Sequence, residues 1–162
     1  MILLPRPLLK TIVDAAESAY PEESCGLLVG YAEPPQDLIV TRAEISPNVV
    51  EDNATEHFEV SPKLRLELMR TLNGGPERII GHFHSHPDHP AQPSLRDLER
   101  AWEPEMVWLI TAVLDGQAIQ TTAHVLDNEA RQFREIGLRT TDWQPYPVRA
   151  ADEPSEDETR DL

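Results

Sequence analysis

Apolar residues recur at helical spacing in two long stretches of the chain. The first stretch predicts an amphipathic helix over residues 6–20 that ends at Pro21. The second has leucines four residues apart between positions 64 and 72, after a Ser-Pro pair at 61–62 that suits a helix N-terminus. A third, shorter helix is predicted from residue 95 to about 102.

Short apolar or alternating runs bounded by turn residues predict strands. The predicted strands are 25–31, 37–45, 58–60, 78–84, 106–114, 118–125 and 132–136. Asp115-Gly116 predicts a tight hairpin between two of them. This order of helices and strands predicts an α/β (α+β) fold, a single domain with a central mixed β-sheet flanked by helices.

The C-terminal stretch differs in composition from the rest of the chain. Residues 151–162 hold six acidic residues and one basic residue, with almost no aliphatic side chains to bury. Such a segment does not offset the entropy lost on ordering. We therefore expect a folded domain over residues 1–140 and a flexible, proline-containing acidic tail over residues 141–162.

The charge and cysteine content exclude several classes of partner. The 14 Lys and Arg residues against 29 Asp and Glu residues give a net charge of −15, so we expect neither nucleic acid nor anionic membranes as partners. The longest mainly apolar run, 106–114, is too short to span a bilayer. Cys25 is the only cysteine, which favours a reducing compartment, and we expect a cytoplasmic protein without a secretory leader.

The chemistry of the chain is concentrated around four histidines within eight positions, 82–89. His84 and His86 are two residues apart and so lie on one face of a strand. Asp97, in the first turn of the next helix, can close a site with them once the intervening loop folds back. Two imidazoles and a carboxylate are typical ligands of a catalytic zinc, which keeps three protein ligands and one open position.

This segment resembles the signature of the JAMM (MPN+) metalloproteases. The matching pattern is His84-Ser85-His86-Pro87, six residues, Ser94, two residues and Asp97. The family also has an upstream glutamate in a Glu-x-x-Gly stretch, which Glu23-Ser24-Cys25-Gly26 matches. The resemblance covers about residues 6–138, and it implies the JAMM/MPN fold, which is related to that of the cytidine deaminases.

The resemblance also implies roles for individual residues. His84, His86 and Asp97 would ligate Zn2+, Glu23 would act as the general base, and Ser94 would hydrogen-bond the developing oxyanion. The short chain is similar to compact prokaryotic members of the family. Their activity implies a zinc-dependent peptidase or isopeptidase whose substrate is a ubiquitin-like or sulfur-carrier protein, cut after its C-terminal Gly-Gly.

Simpler interpretations of these residues remain open from the sequence. Ser94 and Asp97 are also the residues expected at a helix N-terminus. A shift of one residue would give the role of Glu23 to Glu22. The alternative function is a catalytically silent MPN-type scaffold.

The remaining histidines lie outside the motif. We expect His82 to be buried or to support a ligand, and His89 to lie near the mouth of the site. His57 and His124 are expected to be ordinary surface or hydrogen-bonded residues.

Overall fold

One eight-stranded β-sheet forms the framework of the computed structural model, which describes residues 1–142. Its strands in chain order are β1 (Ile2–Pro5), β2 (Cys25–Glu33), β3 (Asp37–Ser46), β4 (Arg78–Pro87), β5 (Val107–Leu114), β6 (Gln117–Asp127), β7 (Gln132–Ile136) and β8 (Leu138–Thr141). The helices are α1 (Arg6–Ala19), α2 (Pro62–Leu72) and α3 (Leu95–Glu99).

The sheet is mixed, as the sequence predicts. Its strand order is β7-β6-β5-β4-β2-β3-β1-β8, which places β4 near the centre. β4 runs parallel to β5 and antiparallel to β2. The end of β4 that carries the histidines therefore lies beside the start of β2 and the later half of β5.

Helices pack on both faces of the sheet, and β2 is therefore buried on both sides. Leu28 faces the core cluster that the apolar stripe of α1 packs against. Leu27 and Val29 alternate with it and face the opposite side, where they pack with the leucines of α2. The α+β architecture expected from the sequence is thus confirmed.

The observed elements differ from the predicted ones in three places. Strands β1 and β8, which pair with each other in parallel at one edge, were not predicted. Val60 forms only an isolated bridge with Asn48, so the predicted strand over 58–60 is wrong. Helix α3 ends at Glu99 rather than near residue 102, because Pro104 has no N–H to donate to the Arg100 carbonyl and its ring would clash with that carbonyl in a longer helix.

Other predictions are confirmed. Asp115 and Gly116 both have positive φ, which is the geometry of the predicted tight hairpin. Within residues 1–142, none of the helices is both long and apolar enough to cross a membrane. The predicted acidic tail falls almost entirely outside the described residues.

Candidate metal centre and active-site cleft

The last residues of β4 present two imidazoles on one face of the sheet. β4 extends through Pro87, so His84 and His86 both lie within the strand and point the same way. Phe83 points to the opposite face, and a Cβ at Gly26 would overlap its ring. This close approach explains the glycine of the Glu-x-x-Gly stretch, because a side chain at position 26 would separate β2 from β4.

Helix α3 brings a carboxylate to the two imidazoles. The Ser94 hydroxyl accepts a hydrogen bond from the Asp97 N–H at 3.0 Å, and Asp97 Oδ2 accepts one from the Ser94 N–H at 2.8 Å. This capping box starts the helix and fixes the Asp97 side chain. Asp97 Oδ1 lies 3.3 Å from His84 Nε2, and Oδ2 lies 3.2 Å from His86 Nε2.

The three side chains fit a tetrahedral zinc site. The Nε2 atoms of His84 and His86 are 2.9 Å apart, and each lies 3.2–3.3 Å from a different oxygen of Asp97. Zinc with nitrogen and oxygen ligands at 2.0–2.1 Å has ligand–ligand distances of about 3.3 Å. All three residues are buried. The donor set and its spacing therefore match those of a three-ligand zinc site.

The hydrogen bonds around His86 leave the correct nitrogen free for a metal. Its Nδ1 lies 2.9 Å from the Pro90 carbonyl oxygen, which only accepts, so Nδ1 carries the proton. In the neutral ring Nε2 then has a free lone pair that points at His84 and Asp97. A carbonyl in this role fixes the tautomer and the ring orientation of a metal-binding histidine.

The cluster has strongly perturbed acid–base properties. Burial opposes ionisation of Asp97, but the two histidines and the Ser94 N–H outweigh it and hold the pKa of Asp97 well below its usual range. Burial lowers the pKa of His84 and keeps its ring neutral. Burial acts in the same direction on His86, but hydrogen bonds to Asp97 and Pro90 raise the pKa of His86 overall.

Glu23 is fixed at the start of β2 by its own backbone. Its N–H donates to the Ala54 carbonyl at 2.8 Å, and its carbonyl accepts from Asn48 Nδ2 at 3.2 Å. The next N–H, of Ser24, donates to Ser85 Oγ at 2.8 Å. Ser85 lies between the two histidines of β4, so this bond ties the position of Glu23 to that of the cluster.

The Glu23 side chain is buried and strongly desolvated. It is only 6% exposed, and its buried Oε2 has no hydrogen-bond partner among residues 1–142. Burial raises the pKa of Glu23 to about 8. Glu22 is exposed and does not line the cleft that Glu23, His86 and Ser94 line, so the geometry favours Glu23 over Glu22 as the candidate base.

A cleft of about 420 Å³ opens over the cluster. Glu23, His86 and Ser94 line it together. The Ser94 hydroxyl uses a lone pair to cap α3, so its proton is free to be donated into the cleft. His89 lines the same cleft as expected, and His57 lines it although the sequence suggested an ordinary residue.

Four contacts at or near the site involve residues outside the sequence motif. The ring of Phe58 stacks on His84, and Asn48 holds the Glu23 carbonyl. His124 is buried and contacts Thr122. His82 packs edge-on against Trp108, and its buried Nδ1 has no hydrogen-bond partner among residues 1–142.

Comparison with known proteins agrees with this geometry. Residues 5–127 match the family model for prokaryotic homologs of the JAB domain. The chain is similar to the desampylase of Haloferax volcanii, with 30% identity over 118 residues that cover 73% of this chain and 78% of the desampylase. It is also similar to the CysO-cysteine peptidase of Mycobacterium tuberculosis, with 25% identity over 71% of this chain and 75% of that protein.

The fold has matches among solved structures. The solution structure of a protein from Desulfitobacterium hafniense superposes with a TM-score of 0.76 and 26% sequence identity. The match covers 89% of this chain and 95% of the other.

Proposed function

Because the chain belongs to the prokaryotic JAB-domain branch of the JAMM/MPN family, we propose that it is a zinc-dependent peptidase or isopeptidase. Its substrate in this proposal is a ubiquitin-like or sulfur-carrier protein, and the bond cut is the one after the C-terminal Gly-Gly. The relatives named as a desampylase and a CysO-cysteine peptidase support a hydrolase.

The observation that carries the proposal is a cleft lined by Glu23, His86 and Ser94. His86 also belongs to the buried cluster that it forms with His84 and Asp97. A scaffold has no need of a buried carboxylate whose Oε2 has no hydrogen-bond partner among residues 1–142, since desolvating a carboxylate costs stability. The catalytic interpretation therefore explains more of the site than the scaffold alternative.

The roles of the residues follow from their positions. A zinc ion held by the three ligands would supply Lewis acidity, which polarises a substrate carbonyl and lowers the pKa of a nearby water. Glu23 takes a proton from the attacking water as its oxygen bonds to the carbonyl carbon. Glu23 then gives that proton to the leaving nitrogen as the carbon–nitrogen bond breaks. The Ser94 hydroxyl donates a hydrogen bond to the oxyanion formed in between.

A Gly-Gly tail suits the shape of this cleft. Its lining includes Glu56 and His57 from one loop, and His89, Pro90, Gln92, Pro93, Ser94 and Arg96 from another segment. An extended tail between them is held mainly through its main chain, as in strand addition. Glycines allow the scissile carbonyl to approach the floor of the cleft, where a side chain would collide with the walls.

The net charge of −15 constrains the rest of the substrate. Two acidic surfaces repel each other and slow association. The globular body of the substrate is therefore expected to present a neutral or basic face. Nucleic acid and membranes are not part of the proposal, and we propose that the protein acts in the cytoplasm.

The test compares three fusions of one ubiquitin-like protein that differ only at the junction. The junctions are Gly-Gly, Ala-Ala and Val-Val, each followed by the same C-terminal peptide, assayed with and without a chelator. We expect cleavage of the Gly-Gly fusion alone, lost with chelator and restored by zinc. Glu23→Gln is the matched inactive control.

Two results would contradict the proposal in different ways. Equal cleavage of all three fusions would leave a general metallopeptidase without tail specificity. A conjugate in which the same Gly-Gly tail is linked to a lysine tests isopeptidase activity. If neither this conjugate nor the Gly-Gly fusion is cleaved faster than by Glu23→Gln, the scaffold alternative is favoured.

A further inference from the structure

Residues on β6 lie in register with the metal cluster. His84 pairs with Ile110 on β5, and Ile110 pairs with Thr122 on β6. Residues that pair directly across strands share a face of the sheet. Thr122 and His124 are two residues apart, so both lie on the face that carries the cluster.

Thr122 and His124 form a directed hydrogen-bond chain. Thr122 Oγ1 donates to the carbonyl oxygen of Ala91 at 2.6 Å, and a carbonyl only accepts. A hydroxyl has one proton, so the 2.8 Å contact between Thr122 Oγ1 and His124 Nε2 is donated by the ring N–H. Thr122, His124 and Ala91 are all buried, which makes loss of either bond costly.

This chain of hydrogen bonds ends on the 88–93 loop, which orients the proposed metal ligand His86. Ala91 directly follows Pro90, whose carbonyl accepts the Nδ1 proton of His86. Two consecutive carbonyls of the 88–93 loop are thus held from the sheet, one from β4 and one from β6. The side chain of Ala91 is buried against β5 as well. The same loop leads into α3, which carries Asp97.

We propose that Thr122 and His124 are positioning residues that hold the 88–93 loop so that His86 and Asp97 are preorganised for zinc. The inference rests on the proposed metal site. Among residues 1–142, neither side chain hydrogen-bonds to the three ligands. In this proposal both act through the backbone of residues 90 and 91. Outer hydrogen-bond partners of metal ligands typically contribute about 10- to 100-fold to metal affinity.

The test measures zinc affinity rather than activity. Thr122→Val keeps the side-chain shape but removes the hydroxyl, and Thr122→Ser keeps the hydroxyl. Thr121→Val is the matched control, because Thr121 lies next to Thr122 on β6 and shares its hydroxyl hydrogen bond with Thr111 instead. Zinc dissociation constants are measured by competition with a chromophoric chelator, and Co2+ absorption spectra report the ligand geometry.

We expect Thr122→Val to weaken zinc binding by up to about 10-fold and to alter the Co2+ spectrum, at the lower end of the range for direct ligand partners because Thr122 acts through the neighbouring carbonyl. Thr122→Ser and Thr121→Val should bind zinc as the wild type does. Equal affinity of Thr122→Val and Thr121→Val would overturn the inference while leaving the proposed function intact. A wild-type chain that binds no zinc would remove both.

A second variant covers the case in which Thr122→Val does not fold. His124→Phe keeps an aromatic ring and removes both ring nitrogens, including the Nε2–H that donates to Thr122. We expect it to weaken zinc binding less than Thr122→Val does, because the Thr122–Ala91 bond remains. Wild-type zinc affinity in His124→Phe would then overturn the inference.

Discussion

The phenyl ring of Phe58 lies flat on the imidazole of His84, with ring centroids 4.3 Å apart and planes 16° apart. Trp108 meets the same imidazole edge-on at 5.8 Å. These rings enclose His84, which is 1% exposed and whose neutral form is favoured by burial. The neutral imidazole is the form that binds metal, so the aromatic enclosure keeps this proposed ligand ready.

The first prediction concerns metal content. Protein purified without added metal should contain close to one zinc per chain, and His84→Ala combined with His86→Ala should contain almost none. Two of the three ligands are then missing, and a single carboxylate does not hold zinc tightly. Elemental analysis measures the result. His89→Ala is the control, since His89 lines the cleft outside the cluster and its loss should leave the zinc content unchanged.

A double variant that keeps the wild-type zinc content would show that the metal, if present, is bound elsewhere. The circular dichroism of each variant establishes that the fold is retained.

The second prediction separates Glu23 from Glu22. Glu23→Gln should lower turnover of the Gly-Gly fusion by about 100- to 10,000-fold, because it removes the proton carrier. Zinc content should stay at the wild-type level, since Glu23 is not a proposed ligand. Glu22→Gln should retain turnover, because Glu22 is exposed outside the cleft. If Glu22→Gln and Glu23→Gln lower turnover equally, the proton transfer cannot be assigned to either acid alone.

The sequence was sufficient for those features that depend on local pattern. The helical spacing of leucines in α2 and the turn residues Asp115-Gly116 determine their own geometry, and both predictions are confirmed. The His-Ser-His-Pro spacing placed two imidazoles on one strand face. A short motif of this kind can be recognised because its residues are neighbours in the chain.

Features that depend on distant pairing were not accessible in the same way. β1 and β8 pair although more than 130 residues separate them, and neither is long enough to show a strand pattern of its own. Phe58 looked like part of a strand, but its neighbours form a loop that carries its ring onto His84. The link from Thr122 to the 88–93 loop likewise depends on the register of β5 and β6.

The third prediction is a pH-dependent stability difference in the metal-free protein. Burial raises the pKa of Glu23 from 4.5 to about 8. Between these values the folded state keeps a proton that the unfolded state has lost, so the contribution of Glu23 to stability falls as pH rises. The glutamine in Glu23→Gln stays neutral at every pH, so the variant does not lose this contribution to stability. The free energy of unfolding of the variant should therefore equal that of the wild type near pH 4. Above pH 8 it should exceed the wild-type value by up to about 5 kcal/mol.

Urea unfolding of metal-free protein at a series of pH values measures this difference. Glu22→Gln serves as the control and should follow the wild type throughout, since its carboxylate is exposed. Added zinc should reduce the difference, because a nearby cation favours the ionised carboxylate. A stability difference that does not change with pH would show that Glu23 does not hold its proton in the folded state.

The fourth prediction distinguishes the two roles of Ser94, which caps α3 and is proposed to donate to the oxyanion. Ser94→Gly removes the hydroxyl but costs only a few tenths of a kcal/mol as a helix cap, whereas Ser94→Ala costs about 1 kcal/mol.

Both variants keep the Ser94 backbone N–H that binds Asp97, so zinc content should not change. Both should lower turnover by about 100- to 1,000-fold, the usual effect of losing one oxyanion donor. Ser94→Thr keeps the hydroxyl and should retain both stability and turnover. If Ser94→Gly turns over substrate as fast as the wild type, Ser94 acts only as the cap of α3, and the oxyanion must be stabilised by another group in the cleft.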